Sequence, residues 1–205
     1  MTRHLASLDG KQRAATGRGA AWLIMAAGMI GAAVYLGISA ASGVWGFALD
    51  DAWIHQTYAR NLAQTGQFAF VPGRPSAGST SPLWTVILSM GYLLRADYKW
   101  WTYALGTACL IATALGVWQL TLRLFPARPR VALMAGLFCA LEWHMLWAAV
   151  SGMETALFAA LTVWLVVMLA RAPQTEPQTS FVKAIGVSLL CGLIVLTRPE
   201  GLLLI

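Results

Sequence analysis

The chain has 205 residues, of which 59% are hydrophobic and only 11% charged, and its 14 Lys+Arg against 8 Asp+Glu give a formal charge of +6. Soluble domains carry about 25% charged residues, so the composition excludes an ordinary water-soluble globule. Nucleic acid is not indicated as a partner, because no compact basic patch interleaved with aromatics is present.

The N-terminus carries a basic head (Arg3, Lys11, Arg13, Arg18), followed by no charged residue from Gly19 to Leu49. That stretch is too long for the 7–15-residue core of a cleaved signal and long enough to cross a bilayer, which takes about 20 apolar residues. Residues 1–19 therefore read as a cytoplasmic tail, and Ala20–Ala41 as an uncleaved first span. Beyond it, Asp51–Thr65 reads as a surface helix, with Ile54, Tyr58 and Leu62 as its apolar stripe and Asp50 at the N-cap. A turn-rich stretch (Pro72, Gly73, Pro75, Gly78) leads to Pro82–Leu94, which has only 13 residues between Ser81 and Arg95.

Four further apolar segments follow at about Trp100–Leu122, Val131–Val150, Thr155–Ala170 and Phe181–Thr197, with Ala172–Ser180 as a polar loop. Cys109, Cys139 and Cys191 lie in apolar runs, are odd in number and lack zinc or disulfide spacing. After Arg198-Pro199-Glu200-Gly201, an apolar run begins at Leu202 and stops at Ile205, which reads as the front part of a longer membrane protein.

Short cytoplasmic loops collect Lys and Arg. Six spans with the N-terminus inside would divide the basic residues 7 to 7. Laying Pro82–Leu94 at the outer interface instead leaves five outside (Arg60, Arg74, Arg95, Lys99, Arg198) and nine inside. The expected architecture is thus an all-α polytopic transmembrane bundle of five spans. A first outer loop of about residues 43–99 carries interfacial helices, and residues 20–205 form one membrane module. Asp50, Asp51, Asp97, Glu154 and Glu200 then share the outer side, with Glu142 about two turns below it.

Those acids are the candidates for chemistry. Two adjacent carboxylates at a helix N-terminus feel opposed influences, the dipole favouring ionisation and each other's charge opposing it, which suits a general base; a solvated cap is the plain alternative. Glu154 could cap the helix beginning at Thr155, the commoner role, or face a substrate. No ligand spacing calls for a metal, although acids from separate loops could supply oxygens to a divalent cation. Arg198 could anchor at headgroups or bind phosphate through its guanidinium fork. Arg60, Lys99 and His55 are further cations on that side, with His55 ranked low. Seven tryptophans (Trp45, Trp53, Trp84, Trp100, Trp101, Trp143, Trp147) read mainly as an interfacial belt.

Several groups of residues resemble landmarks of the GT-C glycosyltransferases, most closely the bacterial arabinofuranosyl- and mannosyltransferases. Asp50-Asp51-Ala52-Trp53-Ile54 with Tyr58-Ala59-Arg60-Asn61-Leu62, then Gly66-Gln67-Phe68 with Val71-Pro72-Gly73, and Gly78-Ser79-Thr80-Ser81-Pro82-Leu83-Trp84, resemble their first outer loop. Ser151-Gly152-Met153-Glu154-Thr155 and Arg198-Pro199-Glu200-Gly201 resemble later landmarks. The resemblance implies a bacterial inner-membrane enzyme that transfers a sugar, with inversion, from a polyprenyl-phosphate donor to a cell-envelope glycan, lipid or protein. Asp50 is then the base, and Asp51 orients the acceptor or is structural. Arg198 and Arg60 face the departing phosphate, and Glu154, Glu200 and His55 line the substrate site. Members of that group run well beyond residue 205, which implies that this piece is catalytically incomplete by itself, either as a truncated chain or as one half that works with a C-terminal companion polypeptide. The rival expectation is a non-catalytic membrane subunit or a lipid-carrier transporter, in which the acids bind rather than react.

Overall fold

The computed structural model describes residues 2–170 and 181–204, with side chains from Gly17 onward; the expected loop at Ala172–Ser180 lies outside the described residues. Eight α-helices and a short 3-10 helix account for the regular structure, and no strand occurs among the described residues. The helices are α1 (Thr2–Ala41), α2 (Asp50–Thr65), α3 (Pro82–Leu93), α4 (Tyr98–Leu124), α5 (Pro129–Leu141), α6 (Trp143–Val150), α7 (Thr155–Leu169) and α8 (Phe181–Thr197), followed by the 3-10 helix Pro199–Leu204.

Among the described residues, two helical stretches are long and apolar enough to cross a membrane, Gly17–Ala41 and Tyr98–Leu124. A third arises if α5 and α6, bent by 50° at their junction, form one broken span. The expected continuous helix Val131–Val150 is therefore interrupted, and the cause is local. Glu142 leaves the helical conformation (φ −63, ψ 129), and its carboxylate accepts the Met145 backbone N–H at 2.9 Å. A side chain that caps a new helix start breaks the apolar run there, although the hydropathy continues across the break. His144 Nδ1, 2.6 Å from Glu142 Oε1, holds the same carboxylate.

The short helices follow their turn chemistry. Proline opens α3 at its first turn, where a missing N–H is harmless. At about 1.5 Å per residue its 12 residues extend roughly 18 Å, well short of a hydrocarbon core of about 30 Å. Asp97 caps α4, accepting from the Lys99 and Trp100 N–H groups at 3.0 Å each. By contrast, Asp50 is the first residue of α2 and not its cap; Leu49 occupies the cap position and makes no side-chain capping bond.

The two ends of the bundle can be told apart by contacts alone. At one end, Trp45 meets Trp100 with ring centroids 5.5 Å apart, and Phe47 lies 5.6 Å from Tyr103 and 5.2 Å from Trp53. Phe47, Ala52, Tyr103, Leu146, Ala149 and Met153 bury one another there. Gly106 lets α4 close on α6, since a methyl group at that position would run into the Ala149 carbonyl. At the other end, residues of α1, α4 and α5 from Gly17 to Leu133 surround a common cavity. Arg123 of α4 donates to the Val167 and Ala170 carbonyls there, closing the C-terminus of α7, where cations are favoured by the helix dipole.

Candidate functional site

The most connected polar cluster lies at the aromatic end and is centred on a buried acid. Glu154 precedes α7 and occupies its cap position, yet its carboxylate makes no capping bond. The helix-capping role expected for it is therefore replaced by long-range pairing. Arg198 Nε donates to Glu154 Oε1 at 2.8 Å, and His55 Nε2 stands 3.2 Å from Glu154 Oε2. Arg198 also reaches Thr155 Oγ1 at 3.3 Å. One carboxylate thus ties α2, the start of α7 and the end of α8 together.

Burial sets the energetics. His55 is 1% exposed and Glu154 2%, whereas the Arg198 side chain retains 35%. A buried carboxylate without partners would be costly, and removal of one member of such a pair typically destabilises by about 3–5 kcal/mol. Burial pushes the Glu154 carboxyl up, but the His55 contact, its own backbone N–H and the Arg198 charge outweigh that and hold it below its ordinary value. A hydrogen on Nε2 would suit its position opposite the Glu154 carboxylate oxygen. His55 Nδ1 lies 2.9 Å from Ser79 Oγ, which in turn lies 2.7 Å from Thr85 Oγ1. The approach of Nε2 to Oε2 is not a directional hydrogen bond, and both atoms lack an in-line partner among the described residues.

Around this centre, the chain segments are stitched by further bonds. Trp84, 1% exposed, donates its indole N–H to the Gly152 carbonyl at 2.9 Å. Gly152 has φ +84, and an added Cβ would sit 2.7–2.8 Å from the Phe47 ring and the Ala52 methyl. The turn therefore needs glycine both for its backbone and for the approach of α2. Gln56 donates to Thr102 Oγ1 at 2.8 Å and accepts from Tyr92 OH at 2.9 Å, joining α2, α3 and α4. Burial drives the Tyr92 phenol up to about 12, against the opposing pull of Arg60. Asn61 Nδ2 donates to the Ala69 and Phe70 carbonyls, each at 2.9 Å, pinning the start of the loop that follows α2.

The buried face of α2 differs from the expected apolar stripe. Ala52, His55, Gln56 and Ala59 turn inward with Tyr58 and Asn61, while Ile54 and Leu62 are only half-buried. Small residues permit close approach, and the polar ones are buried because partners wait for them.

Of the candidate residues from sequence, His55, Glu154 and Arg198 meet in one cluster. Asp50, Asp51, Arg60 and Glu200 are exposed and stand outside its bonded network. Asp51 lies one helical turn before His55, so the acidic pair borders the cluster without joining it. Lys99 sits over the Trp45 and Tyr98 rings at 5.7 and 5.9 Å. Trp45, Trp53, Trp100 and Trp143 are exposed, as a belt requires, but Trp84 is a core residue. No group of three His, Cys, Asp or Glu side chains that could hold a metal ion occurs among the described residues. Residues that sequence reasoning missed include Gln56, Ser79, Thr85, Thr102 and Gly152 as bonding partners; the hydroxyl run Ser79-Thr80-Ser81 before Pro82 was the available signal for one of them.

Comparison with family models, curated proteins and solved structures returns no match for this chain.

Proposed function

We propose that the chain is the N-terminal membrane module of a GT-C-type glycosyltransferase, seated in a bacterial inner membrane with its N-terminus in the cytoplasm and the aromatic end outside. The observation that supports this reading is the wiring of the motif residues to one another. The first-loop segments, the Ser151–Thr155 turn and the Arg198 segment are distant in sequence, and they are joined by His55–Ser79, Trp84–Gly152, His55–Glu154 and Arg198–Glu154. Residues that merely flanked separate spans would have no cause to bond across 44 and 68 positions.

In this proposal the buried cluster positions and the exposed acids react. Asp50, solvated at the start of α2 where the dipole favours its charge, takes the proton from the acceptor hydroxyl. The hydroxyl oxygen bonds the anomeric carbon as the bond to the donor phosphate breaks, and polyprenyl phosphate leaves with the electron pair. A single displacement inverts the centre. Arg198, one guanidinium edge of which is engaged by Glu154, presents its remaining donors to the phosphate as charge develops there; Arg60 is the second cation on that side.

Asp50→Asn tests the reading. In membranes supplied with polyprenyl-phosphate mannose or arabinofuranose, with any companion polypeptide present, transfer should fall by about 10²–10⁴-fold, the usual worth of a general base, at unchanged membrane insertion. Transfer retained at the parental rate would remove Asp50 as the base. The assignment would then pass to a binding role, in a non-catalytic subunit or carrier transporter.

A further inference from the structure

The cavity at the opposite end has no part in that chemistry. It measures about 980 Å³ and lies where the start of α1 meets the end of α4 and the beginning of α5. Leu23, Trp118, Leu122 and Leu133 give it apolar walls. Gly17 and Gly19 line it too, and a Cβ added at either would meet no atom within 4 Å, so the space is left open by the absence of side chains there.

Among the described residues, the charges at or next in sequence to the cavity's lining are all positive. Arg130 lines the opening, Arg18 stands between the lining residues Gly17 and Gly19, and Arg128 between the lining residues Ala127 and Pro129. All three arginines are exposed, and no lining residue is acidic. Arg123, also at this end, is already spent on the α7 carbonyls. Apolar walls beneath a mouth whose charges are all positive among the described residues, flanked by two helices long enough to cross a membrane, match one chemical class of molecule. We propose that this cavity is a binding site for an anionic glycerophospholipid, with an acyl chain between α1, α4 and α5 and the phosphate on Arg18, Arg128 and Arg130. Basic pockets between membrane helices recognise such headgroups. A free inorganic anion would leave the walls unfilled, and a zwitterionic lipid would leave the cations uncompensated.

Native mass spectrometry of the full chain, purified in detergent and offered equal amounts of dioleoyl phosphatidylglycerol and dioleoyl phosphatidylcholine, tests this. One retained phosphatidylglycerol per chain is expected, in preference to phosphatidylcholine, with retention weakening about fivefold for each arginine lost in Arg128→Gln and Arg130→Gln. Gly19→Trp and Gly17→Leu, placed where an added Cβ meets no neighbour, should abolish retention while the melting temperature stays at the parental value. Equal retention of both lipids overturns the proposal, as does retention of phosphatidylglycerol by both glycine variants, which would mean surface attraction alone. Adducts of inorganic phosphate in place of lipid, or a lipid-free dimer mass, overturn it as well.

Discussion

The two ends of this bundle handle charge in opposite ways. At the aromatic end, Glu154 is buried and compensated by His55 and Arg198 from other elements, so its charge helps define the fold. At the other end, Arg18, Arg128 and Arg130 stand exposed around an apolar hollow. The first arrangement is specific because every member needs the others in place. The second leaves its cations free to face a headgroup and contributes little to folding, since exposed charges are worth at most about 1 kcal/mol. Similar residue types therefore do structural work in one place and surface work in the other.

This contrast can be broken most directly at Glu154. Glu154→Ala strands His55 Nε2 and the Arg198 guanidinium and should cost about 3 kcal/mol, the low end for a buried pair because Arg198 is partly solvated. Arg130→Gln should stay within about 0.5 kcal/mol. Chemical unfolding of both variants in the same detergent decides, and comparable losses would erase the distinction between the ends. Gly152→Ala comes next. The positive φ and the crowding by Phe47 and Ala52 predict a loss of about 2 kcal/mol, checked by the same unfolding measurement; a neutral result would show that α2 can back away from the turn.

Acid sharpens the picture further. The folded Glu154 carboxyl is held below its ordinary value of 4.5, so the stability it contributes is complete above that pH and is lost as pH falls through the lower folded value. The melting temperature of the parent should therefore drop more steeply below pH 4.5 than that of Glu154→Gln, and parallel curves would mean the carboxylate gains nothing from its partners. Without any stability change, the exposed residue Ala96, in the turn between α3 and α4, tests which end is outside. Ala96→Cys in intact cells should react with an impermeant thiol reagent; labelling only after lysis would reverse the orientation.

Much of the fold could be read from hydropathy. The Phe181–Thr197 helix stops where the apolar run does, and α3, α4 and α7 begin or end within two residues of theirs. What hydropathy could not reveal is a break inside an apolar run. Glu142 is a single acid in a long hydrophobic stretch, and only its bond to the Met145 N–H turns it into a helix start. The site shows the same limit. Glu154 and Arg198 stood out as charges beside apolar runs, but His55 looked like a surface histidine because its justification, Ser79 on one nitrogen and Glu154 facing the other, comes from 24 and 99 residues away. Gln56 was invisible for the same reason: a buried amide is recognisable only once Thr102 and Tyr92 are seen beside it. A pattern search for apolar stripes takes such residues for the solvent face.

The brevity of α7 has its own consequence. Its 15 residues reach about 22 Å along the helix axis, while Arg123 fixes its far end against α4 and Glu154 is held at its near end. A helix pinned at both termini cannot lengthen or tilt freely to match its surroundings. Any bilayer that takes it up has to thin locally toward that length, at a cost of a fraction of a kcal/mol per ångström. Were this helix to cross a bilayer, acyl-chain length would act as a setting on the protein, shorter-chain lipids relaxing this corner of the bundle and longer ones pulling on it.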